Sequence, residues 1–392
     1  MLGPLDDLLR AEEERRAKAA QRGSLGGKFQ SFKKSMFKRD SSKPSDSMGR
    51  DLEFVLNDFE HIRLLGVGRF GSVKLVKHKL TKLAYAMKIS QKQLIVDLHN
   101  QNAICDEREI LCKLEHPFIA ATYATFQTPH SLFMLLEMLP GGEFWSLLYD
   151  TEQRLVSFGT PTPHGGLSLA EVQFYFCNVF SAIAYLHDQN IIYRDLKPEN
   201  LVMDRTGYLK LVDFGSAKRL SLGETTNTIC GTPEYVAPEM ILARGHNKGV
   251  DYWTLGIFLY ELMTRRTPFA SSDAAGVYIK IINPEETLMH SFDSIGYAHF
   301  DPTAKDLILK LLASNPGLRI GMRRDETTEV WAHPFLSCFT PTEMKMKAYE
   351  APYRPEIDDI FEKTALDVKM DEKEKEEEII AFNGRSDMFA SF

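Results

Sequence analysis

Cysteine is scarce in this chain: five in 392 residues, at 105, 112, 177, 230 and 338, with no C-x-x-C pair and no metal-ligand spacing. That excludes a disulfide scaffold or a zinc module, points to a reduced intracellular compartment, cytoplasmic or nuclear, and leaves Cys105, Cys112 and Cys177 as small core residues of helices. No run of eighteen apolar residues and no cleavable signal pattern is found, so no membrane-spanning helix is expected. Leu2 follows Met1 where N-myristoylation requires glycine. Positive charge is not in excess either: the net charge of −7 argues against nucleic acid as a partner.

What is present concentrates between Ile191 and Glu239. The densest part is Ile-Ile-Tyr-Arg-Asp-Leu-Lys-Pro-Glu-Asn at 191–200, followed by Leu-Val-Asp-Phe-Gly at 211–215. The second reads as a short buried strand ending in a glycine hinge. Asp195 and Asn200 stand five apart and Asp213 thirteen further on. Phosphoryl transfer leaves the protein little covalent chemistry, needing a carboxylate to orient the attacking hydroxyl and oxygen ligands to hold Mg²⁺ on the phosphates. Asp195 suits the first task, and Asn200 and Asp213 the second. Alone, either motif reads as turn-capping loop residues; in this order and spacing the pair points to chemistry.

Such a site must also cradle a nucleotide. Leu65, Gly66, Val67, Gly68, Arg69, Phe70, Gly71, Ser72 and Val73 form a glycine-rich turn, in which missing Cβ atoms let backbone N–H groups approach phosphate oxygens. It lies between two strand-like runs, whereas the dinucleotide fingerprint opens a helix. Tyr85-Ala86-Met87-Lys88 is an apolar strand ending in lysine, and a helical stretch follows with Glu107 between Asp106 and Arg108. Lys88 would hold phosphates and Glu107 would be its ion-pair partner.

On these motifs the chain resembles a eukaryotic serine/threonine protein kinase of the AGC group, most closely the catalytic domains of cyclic-nucleotide-dependent kinases. Tyr193 before Arg-Asp, Leu64 to Gly68, Gly141 to Trp145 and Asp251-Tyr252-Trp253 resemble the cyclic-GMP branch, and the final Phe389-x-x-Phe392 resembles protein kinase A. The resemblance runs from about Phe59 to Phe392. It implies an α+β bilobal fold with a β-rich small lobe at 58–138 and a helical large lobe at 139–335, followed by a C-terminal tail at 336–392. The length of about 280 catalytic residues suits two lobes. Strands are expected near 59–65, 72–78, 83–89, 121–127 and 132–137.

The resemblance also implies ATP and Mg²⁺ as cofactors and Lys197 as a second catalytic residue beside Asp195. Backbone groups of Glu137 and Leu139 would meet adenine, and Glu143 would meet ribose and a substrate arginine. Glu199 and Glu261 join Glu143 as acids that read arginines before the acceptor, while Ile229, Pro233 and Val236 line an apolar pocket after it. The activating phosphothreonine falls at Thr228, clamped by Arg194 and Lys218, with Ala103 where the family carries a third clamp. Glu239 should pair with Arg319, Asp251 should brace the catalytic loop, and Phe361 would lie against adenine. Protein substrates and a regulatory subunit or pseudosubstrate inhibitor are the implied partners.

Outside this region, residues 1–57 form a helical and basic extension. From Arg15 to Lys43 basic residues face one acid, Asp40, with Phe29, Phe32, Met36 and Phe37 interleaved. The segment suits weak contact with an anionic membrane surface or a partner, and equally a helix packed on the kinase or a disordered arm. Lys38-Arg39-Asp40-Ser41 makes Ser41 a candidate autophosphorylation site. Residues 149–167 look inserted, and from Glu356 to Asp387 acids outnumber bases.

Overall fold

Alternating side chains between Phe59 and Gln91 build three antiparallel strands, β1 (Phe59–Gly68), β2 (Gly71–His78) and β3 (Ala84–Gln91). β4 (Thr122–Gln127) and β5 (Ser131–Glu137) complete a sheet of order β1-β2-β3-β5-β4. The computed structural model describes residues 54–150, 157–159, 162, 165–295, 300–323, 326–357, 382, 384, 386–390 and 392. The basic arm with Ser41, much of the insertion, and the acidic tail with Phe361 lie outside them.

The strand expectations hold to within a few residues, with one difference at the glycine-rich stretch. Gly66 pairs with Val73 and Gly68 with Gly71, so β1 and β2 continue to the tip of a hairpin whose turn is Arg69-Phe70. Period-two alternation gives the sheet two faces. Val73 opposite Lys88 and Leu75 opposite Ala86 are paired across β2 and β3. A cluster of Phe59, Val76, Tyr85, Met87, Phe133 and Leu135 packs together with Phe54. Phe54 stands edge-on to His78 and Tyr85. The small lobe therefore begins inside the stretch assigned to the extension, because that sheet surface needs an apolar cover.

Two helices, α1 (Lys92–Asp97) and α2 (Gln101–Leu111), connect β3 to β4. α2 buries Ile104, Glu107, Ile110 and Leu111, an apolar stripe at helical spacing interrupted by one carboxylate. The large lobe contains α3 (Phe144–Tyr149), α4 (Leu169–Asp188), α5 (Pro238–Ile241), α6 (Gly249–Thr264), α7 (Ala274–Ile282), α8 (Pro284–Ile295), α9 (Pro302–Leu311) and α10 (Glu326–Trp331), and the tail opens with α11 (Pro341–Lys345). α4 starts at a reciprocal cap: Ser168 N donates to Glu171 at 2.6 Å while Ser168 Oγ accepts from Glu171 N.

α4 is long and apolar enough to cross a membrane by length and mean hydropathy alone, but 72% of that window is buried inside the protein. It is the core helix of this lobe. Every residue of α6 is buried as well, its carboxylates Asp251 and Glu261 included, and the helix packs against α4 and α9. Short antiparallel pairs complete the scaffold: β6 (Ile191–Ile192) with β9 (Lys218–Arg219), and β7 (Leu201–Met203) with β8 (Leu209–Leu211).

The expected clamp forms: Arg319 donates to both Glu239 oxygens at 2.6 and 2.7 Å, with Arg319 fully buried over the Trp253 ring. The tail returns to the small lobe, where Phe389 is 0% and Phe392 7% exposed. Gln127 Nε2 donates to Phe389 O at 3.0 Å and Thr125 Oγ1 to Phe392 O at 3.2 Å. Lys92 Nζ donates to Gln127 Oε1 and Thr128 O at 2.7 and 2.8 Å and lies 5.6 Å from the centroid of the Phe389 ring. Arg108 of α2 stands over the Phe392 ring.

Burying each phenyl ring contributes about 1.5–3 kcal/mol. Phe389→Ala/Phe392→Ala should therefore melt several degrees below wild type by calorimetry. An unchanged melting temperature would show that the tail holds nothing in place.

Candidate active site

The glycine hairpin, β3 and α2 form one wall of a cleft of about 460 Å³, and the activation segment forms the other, with Lys88, Glu107, Arg194, Asp213 and Thr228 among its lining. Of the three hairpin glycines, Gly71 is the one packing requires. At φ 152° a Cβ there would sit 2.2 Å from Ile89 O, whereas one on Gly66 would meet nothing within 4 Å. The space in front of Gly66 is left open by the protein itself, as a phosphate cradle requires.

Lys88 Nζ lies 2.6 Å from Glu107 Oε1 and 3.4 Å from Asp213 Oδ1. Burial alone would lower the Lys88 ammonium, but Glu107 and Asp213 outweigh it and hold it above its ordinary value. The Asp213 carboxyl is pulled below the usual range by Lys88 first, with the Gly215 N–H adding to the effect. Asp195 moves the other way, raised by burial against the opposing pull of Lys197 and Asn200. Two carboxylates in one cleft are thus pushed apart, the arrangement by which one accepts a proton while the other stays a charged ligand.

The loop that carries Asp195 is fixed from beneath. Asp251, 0% exposed on α6, accepts from Tyr193 N at 2.9 Å and Arg194 N at 2.7 Å, and contacts His187 Nε2 at 2.7 Å. Tyr193 donates to Val212 O at 2.6 Å, tying the loop to the Asp213 strand. Arg194 and Asp213 hold left-handed φ values of 68° and 51°, and these contacts hold them there. Asn200 spends its amide hydrogens on Asp195 O and Oδ2 at 2.7 and 3.0 Å, so its carbonyl oxygen is the atom it can present. Asp195 Oδ1 is buried and has no hydrogen-bond partner among the described residues.

Mg²⁺ is commonly held by one or two protein oxygens together with substrate phosphates. Asn200 and Asp213 fit that requirement, and the described residues contain no cluster of three or more His, Cys, Asp or Glu that would hold a different metal. Lys197 lies 3.3 Å from Asp195 Oδ2 and donates to Thr232 Oγ1 at 2.8 Å, bridging catalytic loop and activation segment.

Glu137 ends β5, and Leu139 follows it, buried, in the stretch that joins the lobes. The Glu137 side chain, however, is engaged elsewhere, accepting from Lys210 Nζ at 2.7 and 2.8 Å. Glu143 and Glu199 are exposed beside the cleft. Burial first, and then the charge of Glu199, raises the Glu143 carboxyl. Ile229 and Pro233 are exposed and Val236 lies buried beneath them. Glu261 is not exposed with the other acids: it is 3% exposed and accepts from the hydroxyls of both Tyr149 and Tyr235. Nothing in the local sequence signals those tyrosines, which come from 112 and 26 residues away.

Around the activation segment, Thr228 is exposed. Lys218 Nζ donates at 3.0 Å to Thr226 Oγ1, not to Thr228. Arg194 Nε donates to Ser216 O at 2.6 Å, while its Nη1 is buried with no partner among the described residues. Ala103 lines the same cleft as Thr228, as its position suggested.

Residues 59–336 match the family described as protein kinase domain. The rat cGMP-dependent protein kinase 2 is 41% identical over 300 residues, 76% of this chain and 37% of its own length. The cAMP-dependent protein kinase catalytic subunit of Schizosaccharomyces pombe is 36% identical over 316 residues, 80% of this chain and 57% of its own. The cAMP-dependent protein kinase type 3 of Saccharomyces cerevisiae is 35% identical over 305 residues, 78% of this chain and 71% of its own. This chain spans less than half the length of the cGMP-dependent relatives. Family match, bilobal fold and cleft agree: the chain belongs to the protein kinase family, in the group that holds the cAMP- and cGMP-dependent kinases.

Proposed function

We propose that the chain is a serine/threonine kinase that transfers the γ-phosphate of ATP to protein substrates carrying arginines before the acceptor, in the pattern Arg-Arg-x-Ser/Thr-apolar. The observation that carries this reading is the formed Lys88–Glu107–Asp213 chain facing an Asp195 whose Oδ1 is left without a partner. That oxygen accepts the hydrogen of the substrate hydroxyl and aims its lone pair at the phosphate. Lys197 stabilises the negative charge between Asp195 and the incoming oxygen, and Lys88 holds the nucleotide phosphates. Asn200 and Asp213 hold Mg²⁺, which neutralises phosphate charge when bound. Glu143 and Glu199 present carboxylates to guanidinium groups, whose planar forks match them bidentately. Ile229 and Pro233 receive the apolar residue.

Asp195→Ala should lose about 10²-fold or more in turnover of an Arg-Arg-x-Ser peptide in a radiolabelled phosphate-transfer assay, because a positioned base contributes that much. Lys88→Met should lose as much, and Asp213→Ala should also weaken Mg-ATP binding. Retention of more than about a tenth of activity by Asp195→Ala would overturn the assignment.

Control by a cyclic nucleotide is proposed to come through a regulatory partner that presents a pseudosubstrate to the same acids. Pull-down of such a partner, released by cyclic AMP or GMP, is the test, and capture unaffected by either nucleotide would remove it.

Phosphorylation of Thr228 is proposed as the activating switch. The buried, unpartnered Arg194 Nη1 supplies a donor, and Lys218 would leave Thr226 for the phosphate. One charge-assisted hydrogen bond is worth about 1.5–3 kcal/mol. Thr228→Ala should accordingly lose about tenfold or more in kcat/KM, mostly through peptide KM, since Ala103 offers α2 no tie to the phosphate. Equal activity in the two proteins, with phosphate confirmed on wild type, would refute the switch.

A further inference from the structure

Carboxylates gather beside the catalytic loop: Glu143 before α3, Glu199 within the loop, Glu234 in the activation segment and Glu261 on α6. They sense one another. Glu199 raises the carboxyls of Glu143 and Glu261, and Glu234 adds to the effect on Glu261. A cluster of this kind is stabilised by a cation, which the substrate arginines would supply.

The acids are not equally available. Glu143 and Glu199 face solvent, whereas each Glu261 oxygen is occupied, Oε1 by the Tyr149 hydroxyl and Oε2 by the Tyr235 hydroxyl. Burial, opposed by those two hydroxyls, pushes the Glu261 carboxyl up to about 7. Tyr235 is 6% exposed and belongs to the core, so Tyr149 is the side that opens toward the cleft.

Tyr149 is itself held in place. Its ring stacks on Trp145 at 5.4 Å and 25°, and the Arg265 guanidinium lies 5.6 Å from its centroid. Arg265 also donates to Tyr149 O at 2.9 Å, from a left-handed residue that ends α6. Trp145 is 42% exposed, so the outer end of this stack borders solvent.

We propose that Tyr149 is a specificity-determining residue that withholds Glu261 from the substrate. Glu199 shares the loop of Asp195, four residues on, whereas Glu143 precedes α3, so the arginine nearer the acceptor, two places before it, meets Glu199 without Glu261, while the arginine three places before keeps Glu143. The inference rests on the basic-substrate reading above and narrows it: the outer arginine is required and the inner one contributes little. Burial is the reason. Each Glu261 oxygen keeps a second lone pair, but the residue is 3% exposed, so a guanidinium reaches it only by moving the Tyr149 ring off its stack with Trp145.

The test is steady-state kinetics of the full chain, as wild type, Tyr149→Ala and Tyr149→Phe, on three peptides: Arg-Arg-x-Ser, the same with the inner arginine changed to alanine, and the same with the outer one changed. In wild type the inner change should raise KM about threefold or less, the range of an exposed ion pair, and the outer change about tenfold or more. In Tyr149→Ala the inner change should cost about tenfold or more in KM, because Glu261 is then open to a guanidinium. Tyr149→Phe keeps the stack, frees one oxygen and should shift the same way by less. It carries the test if Tyr149→Ala does not fold.

Folded variants with an inner-arginine cost equal to wild type overturn the proposal, whether that cost is small or large. A wild type indifferent to the outer arginine would sink the basic-substrate reading, while the comparison between variants would still decide the role of Tyr149.

Discussion

A single buried carboxylate holds this active site in shape. Asp251 lies on α6, which is buried along its whole length, and accepts the N–H groups of Tyr193 and Arg194 while contacting His187 from α4. A carboxylate at 0% exposure is costly unless its lone pairs are satisfied, and here three donors from two other segments converge on it. Because both backbone N–H groups are captured, the chain is turned so that Arg194 takes a left-handed conformation. Asp195 then emerges toward the cleft and the Arg194 side chain toward the activation segment. Asp195 and the Arg194 side chain are therefore aimed by the same constraint, through a loop tied to the buried helix beneath it.

The electrostatics of the cleft follow from what stands beside each acid. Asp213 lies against Lys88 and is held ionised; Asp195 is more buried from solvent than it is compensated by Lys197 and is raised. Glu107 can sit at 2% exposure on the buried stripe of α2 because Lys88 is its counter-charge, so α2 docks correctly only when β3 delivers that lysine. The Lys88–Glu107 pair thus lines the cleft and is also the condition for closing the small-lobe core.

The residues of the candidate site were legible in the sequence because the chemistry proposed for them confines them to short stretches with fixed spacing: Asp195 and Asn200 share one loop, and Asp213 follows β8. The sheet was legible through alternation, and the Glu239–Arg319 clamp through resemblance. Contacts that depend on which distant side chains meet were not legible. Lys210 reaches Glu137 across 73 residues, and Tyr149 reaches Glu261 across 112. Each is an ordinary residue type on an ordinary element, with no pattern of its own. The sequence placed Glu261 among the acids but could not show that it is covered, since burial is decided by the packing of α3 against α6. The meeting of Arg108 with the Phe392 ring is of the same kind, since nothing in the sequence around Arg108 marks it.

That last contact gives α2 two opposed attachments. Neighbouring residues on a helix point about 100° apart, so Glu107 and Arg108 face different surroundings. Glu107 faces Lys88 in the cleft, and Arg108 faces the Phe392 ring and Thr125 Oγ1, the latter at 2.9 Å. Thr125 in turn donates to Phe392 O, so helix, sheet and tail meet at one hydroxyl. A rotation of α2 that broke the Lys88–Glu107 pair would also drag Arg108 off the tail. Each attachment therefore raises the cost of losing the other, and the orientation of α2 is fixed jointly by the nucleotide side and the tail side.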